Sequence, residues 1–263
     1  TVGVVPRLLG ELGFEVITTG CEPDGRNINA GCGATHPEHL SQFVKARECR
    51  MGVALDGDGD RAIFVDGRGH VLDGDKVLFV CAKHLQSENR LRGDAVVATE
   101  MSNIGLKLSL EALGIDLVRC AVGDKYVMEM LTERGLALGG EQSGHIIFAD
   151  ILPTGDGLLT TLMVLQAMAA TGRELESLAE ELTVYPQVLV NVRVREKANF
   201  ETIPDVAGVI AEVERRMVDQ RGRLLVRYSG TEPVLRIMLE GRDQAEIRHW
   251  AERIAEVVQR RLG

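Results

Sequence analysis

Asp56-Gly57-Asp58-Gly59-Asp60-Arg61 sets three carboxylates two residues apart with a glycine in each gap. At an effective dielectric of ~20 and a separation of ~5 Å, each pair repels by about 3 kcal/mol, a cost that a bound cation would offset. Oxygen ligands alone suit a hard ion, and a small set that leaves positions open for water and phosphate favours Mg2+ over Zn2+. The interposed glycines accept positive φ without steric cost, so the backbone is expected to curl until alternate carboxylates converge.

Rival readings of the same residues fare worse. An EF-hand loop starting at Asp56 needs Gly at its sixth position and Glu at its twelfth, where this chain has Arg61 and Gly67. Gly57-x-Gly59-x-x-Ala62 fits the spacing of a dinucleotide fingerprint, but its aspartates would face a pyrophosphate with like charge. A solvated acidic turn between two strands remains as the bland alternative.

Two further loops carry binding chemistry. Arg227-Tyr-Ser-Gly-Thr-Glu-Pro-Val-Leu-Arg236 gathers Ser229, Gly230 and Thr231 between two arginines. Hydroxyls, turn N–H groups and guanidinium forks make a phosphate cradle, and the lack of a GxxxxGK run argues against a nucleotide. The rival is a hairpin turn with surface arginines. Gly140-Glu-Gln-Ser-Gly-His145 offers Glu141 as acceptor, Ser143 as donor and acceptor, and His145 as a group that titrates near neutrality, a mixture suited to a polyhydroxylated ligand. Taken alone, that loop is equally well read as a plain polar turn. Neither Ser143 nor Ser229 lies in a GxSxG elbow, so no nucleophile stands out.

The elements that must position these loops show an internal echo. Gly10-Glu-Leu-Gly-Phe-Glu-Val-Ile-Thr18 parallels Glu111-Ala-Leu-Gly-Ile-Asp-Leu-Val-Arg119, each read as a helix end, a glycine stop and a strand. Arg61–Asp66 parallels His145–Asp150, and each is followed by a Gly-Asp pair, Gly74-Asp75 or Gly155-Asp156, opening an apolar helix. Thr35-His-Pro-Glu38 has the form of a capping box for a helix to about Arg50, and Lys125–Arg134 is predicted helical with Gly135 as its stop before a strand Leu136–Leu138. Two copies of one α/β unit with parallel or mixed sheets follow. In both copies an acidic loop, Asp56–Asp60 or Glu141–Gly144, comes just after the same strand, and ligands gather beyond such strand ends. From Gln187 onward an alternating strand, a helix near 205–219, two strands and a final amphipathic helix make a small α+β domain.

With 263 residues, 45% apolar composition and a net charge of −9, the chain has room for one to three modest domains. That acidity argues against nucleic acid or an anionic membrane as a bulk partner. Five cysteines without CxxC spacing suit a reducing cytoplasm, and the apolar stretch Leu158–Ala170 is too short to span a bilayer. Thr1 reads as the start of a helix within a domain, so a preceding segment is expected.

DGDGDR, GEQSGH and RYSGTEP in this order resemble the α-D-phosphohexomutases over essentially the whole chain. Gln142, Pro23-Asp-Gly-Arg-Asn-Ile-Asn29 leading into Cys32-Gly-Ala-Thr-His-Pro-Glu38, and Gly123-Asp-Lys-Tyr-Val127 point within it to the branch acting on glucosamine phosphates rather than mannose or glucose phosphates. The resemblance implies two repeated α/β/α phosphohexomutase domains, the first incomplete, at 1–72 with the metal loop and 73–182 with the sugar loop. A small α+β C-terminal domain at 183–263 would carry the phosphate loop. It further implies interconversion of glucosamine 6-phosphate and glucosamine 1-phosphate, a cell-wall precursor, through a phosphoserine and a bisphosphate. By that resemblance Asp56, Asp58 and Asp60 would hold Mg2+, and Arg61 would steady the reacting phosphate. Glu141 and Ser143 would grip sugar hydroxyls beside Lys125 and His145, the latter a candidate proton relay. Arg227, Ser229, Gly230, Thr231 and Arg236 would hold the distant phosphate. The family's phosphoserine loop is absent from these residues, so the expected partners are a phosphorylated hexosamine and an N-terminal domain of the same protein, with a homodimer kept open, and the chain alone is expected to be inactive. A sugar-phosphate or metal-binding module without chemistry is the alternative from outside the enzymes.

Overall fold

The computed structural model describes all 263 residues and divides them into two compact units, Thr1–Ser102 with Leu106–Thr183, and Asn103–Gly105 with Val184–Gly263. In the first unit α1 (Val5–Glu11) and α2 (Pro37–Ala46) precede β1 (Met51–Leu55), β2 (Ala62–Asp66) and β3 (Val71–Leu72), an antiparallel sheet in the order β1-β2-β3. Gly52 lets α2 lie close on β1, since a Cβ there would stand 2.6 Å from Cγ2 of Val44. A second α/β layer follows with α3 (Gly74–Ser87), β4 (Ala95–Thr99), α4 (Ile104–Glu111), β5 (Asp116–Cys120), α5 (Asp124–Arg134), β6 (Leu138–Gly140), β7 (Ile146–Phe148), α6 (Gly157–Thr171) and α7 (Leu175–Ala179). Its sheet runs β5-β4-β6-β7, parallel except for the β6–β7 hairpin.

One continuous core joins Phe64 of β2, Leu78 and Phe79 of α3, Leu138 of β6 and Val164 of α6. Helix α3 is buried nearly all round, as expected of a helix packed on several sides. Each sheet places an acidic loop inside a hairpin: Asp56–Arg61 joins β1 to β2, and Glu141–His145 joins β6 to β7.

The second unit holds β8 (Gln187–Arg193), α8 (Pro204–Asp219), β9 (Arg223–Tyr228), β10 (Val234–Glu240) and α9 (Gln244–Leu262), with antiparallel strand order β8-β10-β9. Val192, Leu235, Ile237, Val213, Trp250 and Ile254 form its own core between sheet and helices. Asp243 caps α9 by accepting from the N–H groups of Ala245 and Glu246.

The chain is thus mixed α/β, two α/β/α layers followed by a small α+β domain, with corrections. The first is that the sheet of the first layer is wholly antiparallel rather than parallel or mixed, because short connections and not helical crossovers join its strands. Phe14–Thr18 is not a strand, because no neighbouring strand pairs with it, and Phe14 and Ile17 stay exposed. Its echo, β5, is a strand because β4 supplies a parallel ladder. The capping box at Thr35 does not form. Pro37 occupies the first turn, so the cap falls on His36 with no side-chain hydrogen bond, and the helix stops at Ala46 rather than Arg50. The last predicted strand of the second copy lies at Leu138–Gly140, two residues beyond Leu136. Finally, the repeated dipeptide is Asp-Gly, not Gly-Asp: Asp73 and Asp156 are the N-caps, accepting from Lys76 N–H and Leu159 N–H, and Gly74 and Gly157 open the helices.

Candidate active site

Asp56, Asp58 and Asp60 each present an oxygen within 4.8 Å of the others. Asp56 Oδ1 accepts from the N–H groups of Gly59 (3.1 Å) and Arg61 (3.2 Å), which folds the loop back on its first carboxylate. Gly59 has φ +79°, a conformation favouring glycine, whereas Gly57 does not take positive φ and serves by space alone, a Cβ there falling 2.3 Å from Cδ1 of Ile28. Arg61 reaches back to Asp56, Nε to Oδ2 3.7 Å, while staying 45% exposed. A pocket of about 470 Å3 opens beside the loop, lined by Ile28, Asn29, Thr35, Asp56, Gly57, Asp58 and Arg61.

Crowding marks the carboxylates electrostatically. Burial raises the Asp56 carboxyl above its ordinary value, with Asp60 and Asp58 adding repulsion and the Arg61 N–H opposing. Burial also pushes Asp60 upward, but the influence of neighbouring Asp56, together with His145 and Arg61, prevails and holds it low. One carboxyl raised while its neighbour is held low is the response of like charges forced together. Asp60 Oδ1 is buried without a hydrogen-bond partner. An all-oxygen set with an orphaned carboxylate atom fits a hard divalent cation.

The second hairpin loop is anchored against the first. Ala62 N–H donates to Gly144 O (3.1 Å), Arg61 and His145 form an antiparallel bridge, and the His145 Nδ1 lies 2.9 Å from Asp60 Oδ2. Gly144, at φ +92°, permits this, because a Cβ there would stand 2.4 Å from Ala62 O. Gln142 is spoken for: its Nε2 donates to Asp73 Oδ2 (3.1 Å), and its carbonyl accepts from Gly74 N–H (2.9 Å). Glu141 Oε1 accepts from Gly123 N–H at the start of α5 (3.0 Å), leaving its other oxygen and the exposed Ser143 for a ligand. Lys125 sits in the first turn of the same helix, 74% exposed and 3.7 Å from Glu129. The first α-helical turn of α6 also touches the metal loop, Gly157 N–H donating to Gly59 O (2.9 Å).

In the second unit Arg227 and Arg236 lie directly opposite on β9 and β10, so two guanidinium groups share one face. Ser229, 2% exposed, is fixed by its N–H to Val234 O (2.8 Å), and its Oγ receives long contacts of 3.4 Å from Glu232 N–H and Arg236 Nη2. Gly230 and Thr231 are exposed at the tip, and Arg236 Nε is buried without an acceptor. An anion would satisfy that donor. Lys197, which sequence reading missed, braces the turn from below by donating to the carbonyls of Ser229 (2.7 Å) and Gly230 (3.0 Å). Sequence reading gave no role to Asp73 and took Gly74 and Gly155 only as helix openers, because their contacts to the loops are long-range and leave no local pattern.

Three models of one family match in order: the alpha/beta/alpha domain II of phosphoglucomutase/phosphomannomutase at 1–69, domain III at 73–185 and the C-terminal domain at 189–257. The chain belongs to the phosphohexomutase family. It is 50% identical over 260 residues to a phosphoglucosamine mutase of Geotalea uraniireducens, covering 99% of this chain and 57% of that protein. Against the Bacillus subtilis phosphoglucosamine mutase it is 48% identical over 263 residues, 100% of this chain and 58% of the relative. The chain therefore spans little more than half the length of these relatives. A phosphoglucomutase/phosphomannomutase family protein of Burkholderia thailandensis shares the fold at TM-score 0.75 and 23% identity, over 98% of this chain and 57% of that one. An Aspergillus fumigatus N-acetylphosphoglucosamine mutase, solved with GlcNAc-6P and magnesium, does so at 0.71 and 22%, over 97% and 63%. No helix is long and apolar enough to cross a membrane.

Proposed function

We propose that this chain is the metal-, sugar- and phosphate-binding part of a phosphoglucosamine mutase, which interconverts glucosamine 6-phosphate and glucosamine 1-phosphate. The observation that carries this reading is the pairing of the Asp56–Asp60 triad with the Glu141–His145 loop through the Ala62–Gly144 hydrogen bond. Near-50% identity to phosphoglucosamine mutases over the full chain supports the amino-sugar specificity. We place the domain divisions at 1–72, 73–182 and 183–263, close to the family matches.

In this reading Asp56, Asp58 and Asp60 hold Mg2+, which when bound neutralises charge on the phosphoryl group in transit between the sugar and a phosphoserine supplied by a preceding domain. Arg61, anchored to Asp56 yet nearly half exposed, steadies the reacting phosphate. Glu141 and Ser143 orient the sugar through its hydroxyls, bordered by Lys125 and His145. Arg227, Ser229, Gly230, Thr231 and Arg236 hold the phosphate that is not reacting, each charge-assisted bond contributing about 1.5 to 3 kcal/mol. Gripping the sugar bisphosphate by alternate ends lets one site serve both positions. The five unpaired cysteines support a reducing, cytoplasmic setting, and a homodimer is compatible with it.

The test compares kcat/KM of the protein extended by its preceding domain for glucosamine, mannose and glucose phosphates. Preference for the glucosamine phosphates is expected, and equal or greater use of either neutral sugar would overturn the specificity. Sustained turnover by residues 1–263 alone would overturn the need for an external phosphoserine.

A further inference from the structure

His145 is an odd residue to offer to a substrate. It is 4% exposed, its Nδ1 already faces Asp60 Oδ2 at 2.9 Å, and its backbone is bridged to Arg61. A carboxylate accepts only, so the proton of this hydrogen bond sits on Nδ1 of the imidazole. The opposite edge of the ring is walled by backbone. A Cβ on Gly155 would lie 2.4 Å from both Cε1 and Nε2 of His145, so only glycine there leaves room for the ring in this position. Gly155 is itself fixed by an antiparallel bridge to Ile147 and precedes Asp156, the N-cap of α6. Its φ lies outside the left-handed range, so space rather than backbone conformation is what a side chain would violate.

The geometry points to His145 as a positioning residue for the metal site: backed by Gly155, it holds Asp60 Oδ2 by a charge-assisted hydrogen bond so that Oδ1 is aimed at the cation. This inference rests on the metal reading above and deepens it. Of the two Asp60 oxygens, the one turned to His145 is satisfied and the other is the buried atom without a partner. Partners behind a metal ligand fix its orientation, and removing them typically weakens metal binding by about 10- to 100-fold. The arrangement also ties the two hairpin loops together. A loop that reads sugar hydroxyls with Glu141 and Ser143 sets, through His145 two to four residues later, the aim of a metal ligand 85 positions away in sequence.

Mn2+ serves as the probe, titrated into the 263-residue chain with free ion counted by electron paramagnetic resonance, so that turnover is not needed. His145→Ala and Gly155→Ala are each expected to raise the Mn2+ Kd by about tenfold or more. His145→Asn keeps an N–H donor at the place of Nδ1 and is expected to stay within about threefold of the unaltered chain, a rescue that loss of packing would not give. Melting curves in EDTA accompany each variant, and His145→Asn with an unchanged melting temperature keeps the comparison decisive if His145→Ala folds poorly. The positioning role is overturned if His145→Ala binds Mn2+ as tightly as the unaltered chain, or if folded His145→Asn binds no better than His145→Ala. Absence of Mn2+ binding by the unaltered chain, matched by Asp58→Asn, would overturn the metal reading itself and the positioning role with it.

Discussion

Single residues decide how closely the two hairpin loops approach, and Gly144 is the tightest of them. Its φ of +92° strains any other residue, and a Cβ would meet Ala62 O at 2.4 Å, the atom's own residue being the partner of the Gly144 carbonyl. Gly144→Ala is therefore expected to cost about 1–3 kcal/mol of stability from backbone strain before the clash is counted. For a unit of this size that lowers Tm by roughly 2–4 °C per kcal/mol, read by calorimetry. An unchanged Tm would show that the loops do not need this contact. At this scale the sequence is candid about some atoms and silent about others. The carboxylates of Asp56, Asp58 and Asp60 are legible because their convergence is local, a matter of alternation and a glycine turn. Gly57 was expected to work like Gly59 and does not, since the letter alone cannot distinguish a glycine needed for φ from one needed for space. The hydrogen bonds from His145 to Asp60 and from Lys197 to the Ser229 turn join residues 85 and 32 positions apart, and no spacing rule encodes them.

Elements explain which local signals prevailed. Helix propensity, glycine stops and period-two strands located α3, α5, α6 and every element of the second unit, because those segments also find tertiary partners. Phe14–Thr18 carried the same β-rich letters without a ladder to join, and the capping box lost to a proline one residue inside the helix. What sequence could not show is how α3 is tied to the chain around α7: Glu181 accepts from Lys83 of α3 and from Arg173 between α6 and α7. The hydrogen bond from Lys83, then that from Arg173, holds the Glu181 carboxyl below its ordinary value against a smaller effect of burial. A depressed carboxylate contributes stability that is present above the ordinary value and is lost as pH falls through the lowered one. Side chains that are 30–39% exposed make this a modest contribution, about 0.2–1 kcal/mol. Glu181→Gln should accordingly melt lower than the unaltered chain at pH 7, with the gap narrowing as pH is taken below 4.5. A gap that held constant or widened in acid would show that the ion pair is not its source.

The molecule as a whole consists of two units with separate cores, and the second is discontinuous in sequence. Its strand β10 ends on Glu240, whose carboxylate is fully buried. Asn103 Nδ2 donates to Oε1 (3.2 Å), Ile104 N–H donates to Oε2 (3.2 Å), and Arg223 stands 3.6 Å from Oε2. Asn103 Oδ1 in turn accepts from Tyr185 N–H at the start of the C-terminal stretch. A short segment some 80 residues upstream thus supplies donors to a carboxylate that would otherwise be buried at several kcal/mol of cost. Removing one partner from such a set costs about 3–5 kcal/mol, because the remaining groups stay buried and unsatisfied. Glu240→Ala in the complete chain is expected to lose that much from the second unit, measured by urea titration with Trp250 fluorescence as the reporter of its core. Residues 184–263, excised, keep the core of Val192, Ile237 and Trp250 but not Asn103 or Ile104, so water reaches Glu240 and the same substitution should cost less than half as much. Equal losses in the two settings would mean that the upstream segment contributes nothing to the second unit, and that its carboxylate is held by Arg223 and the local strands alone.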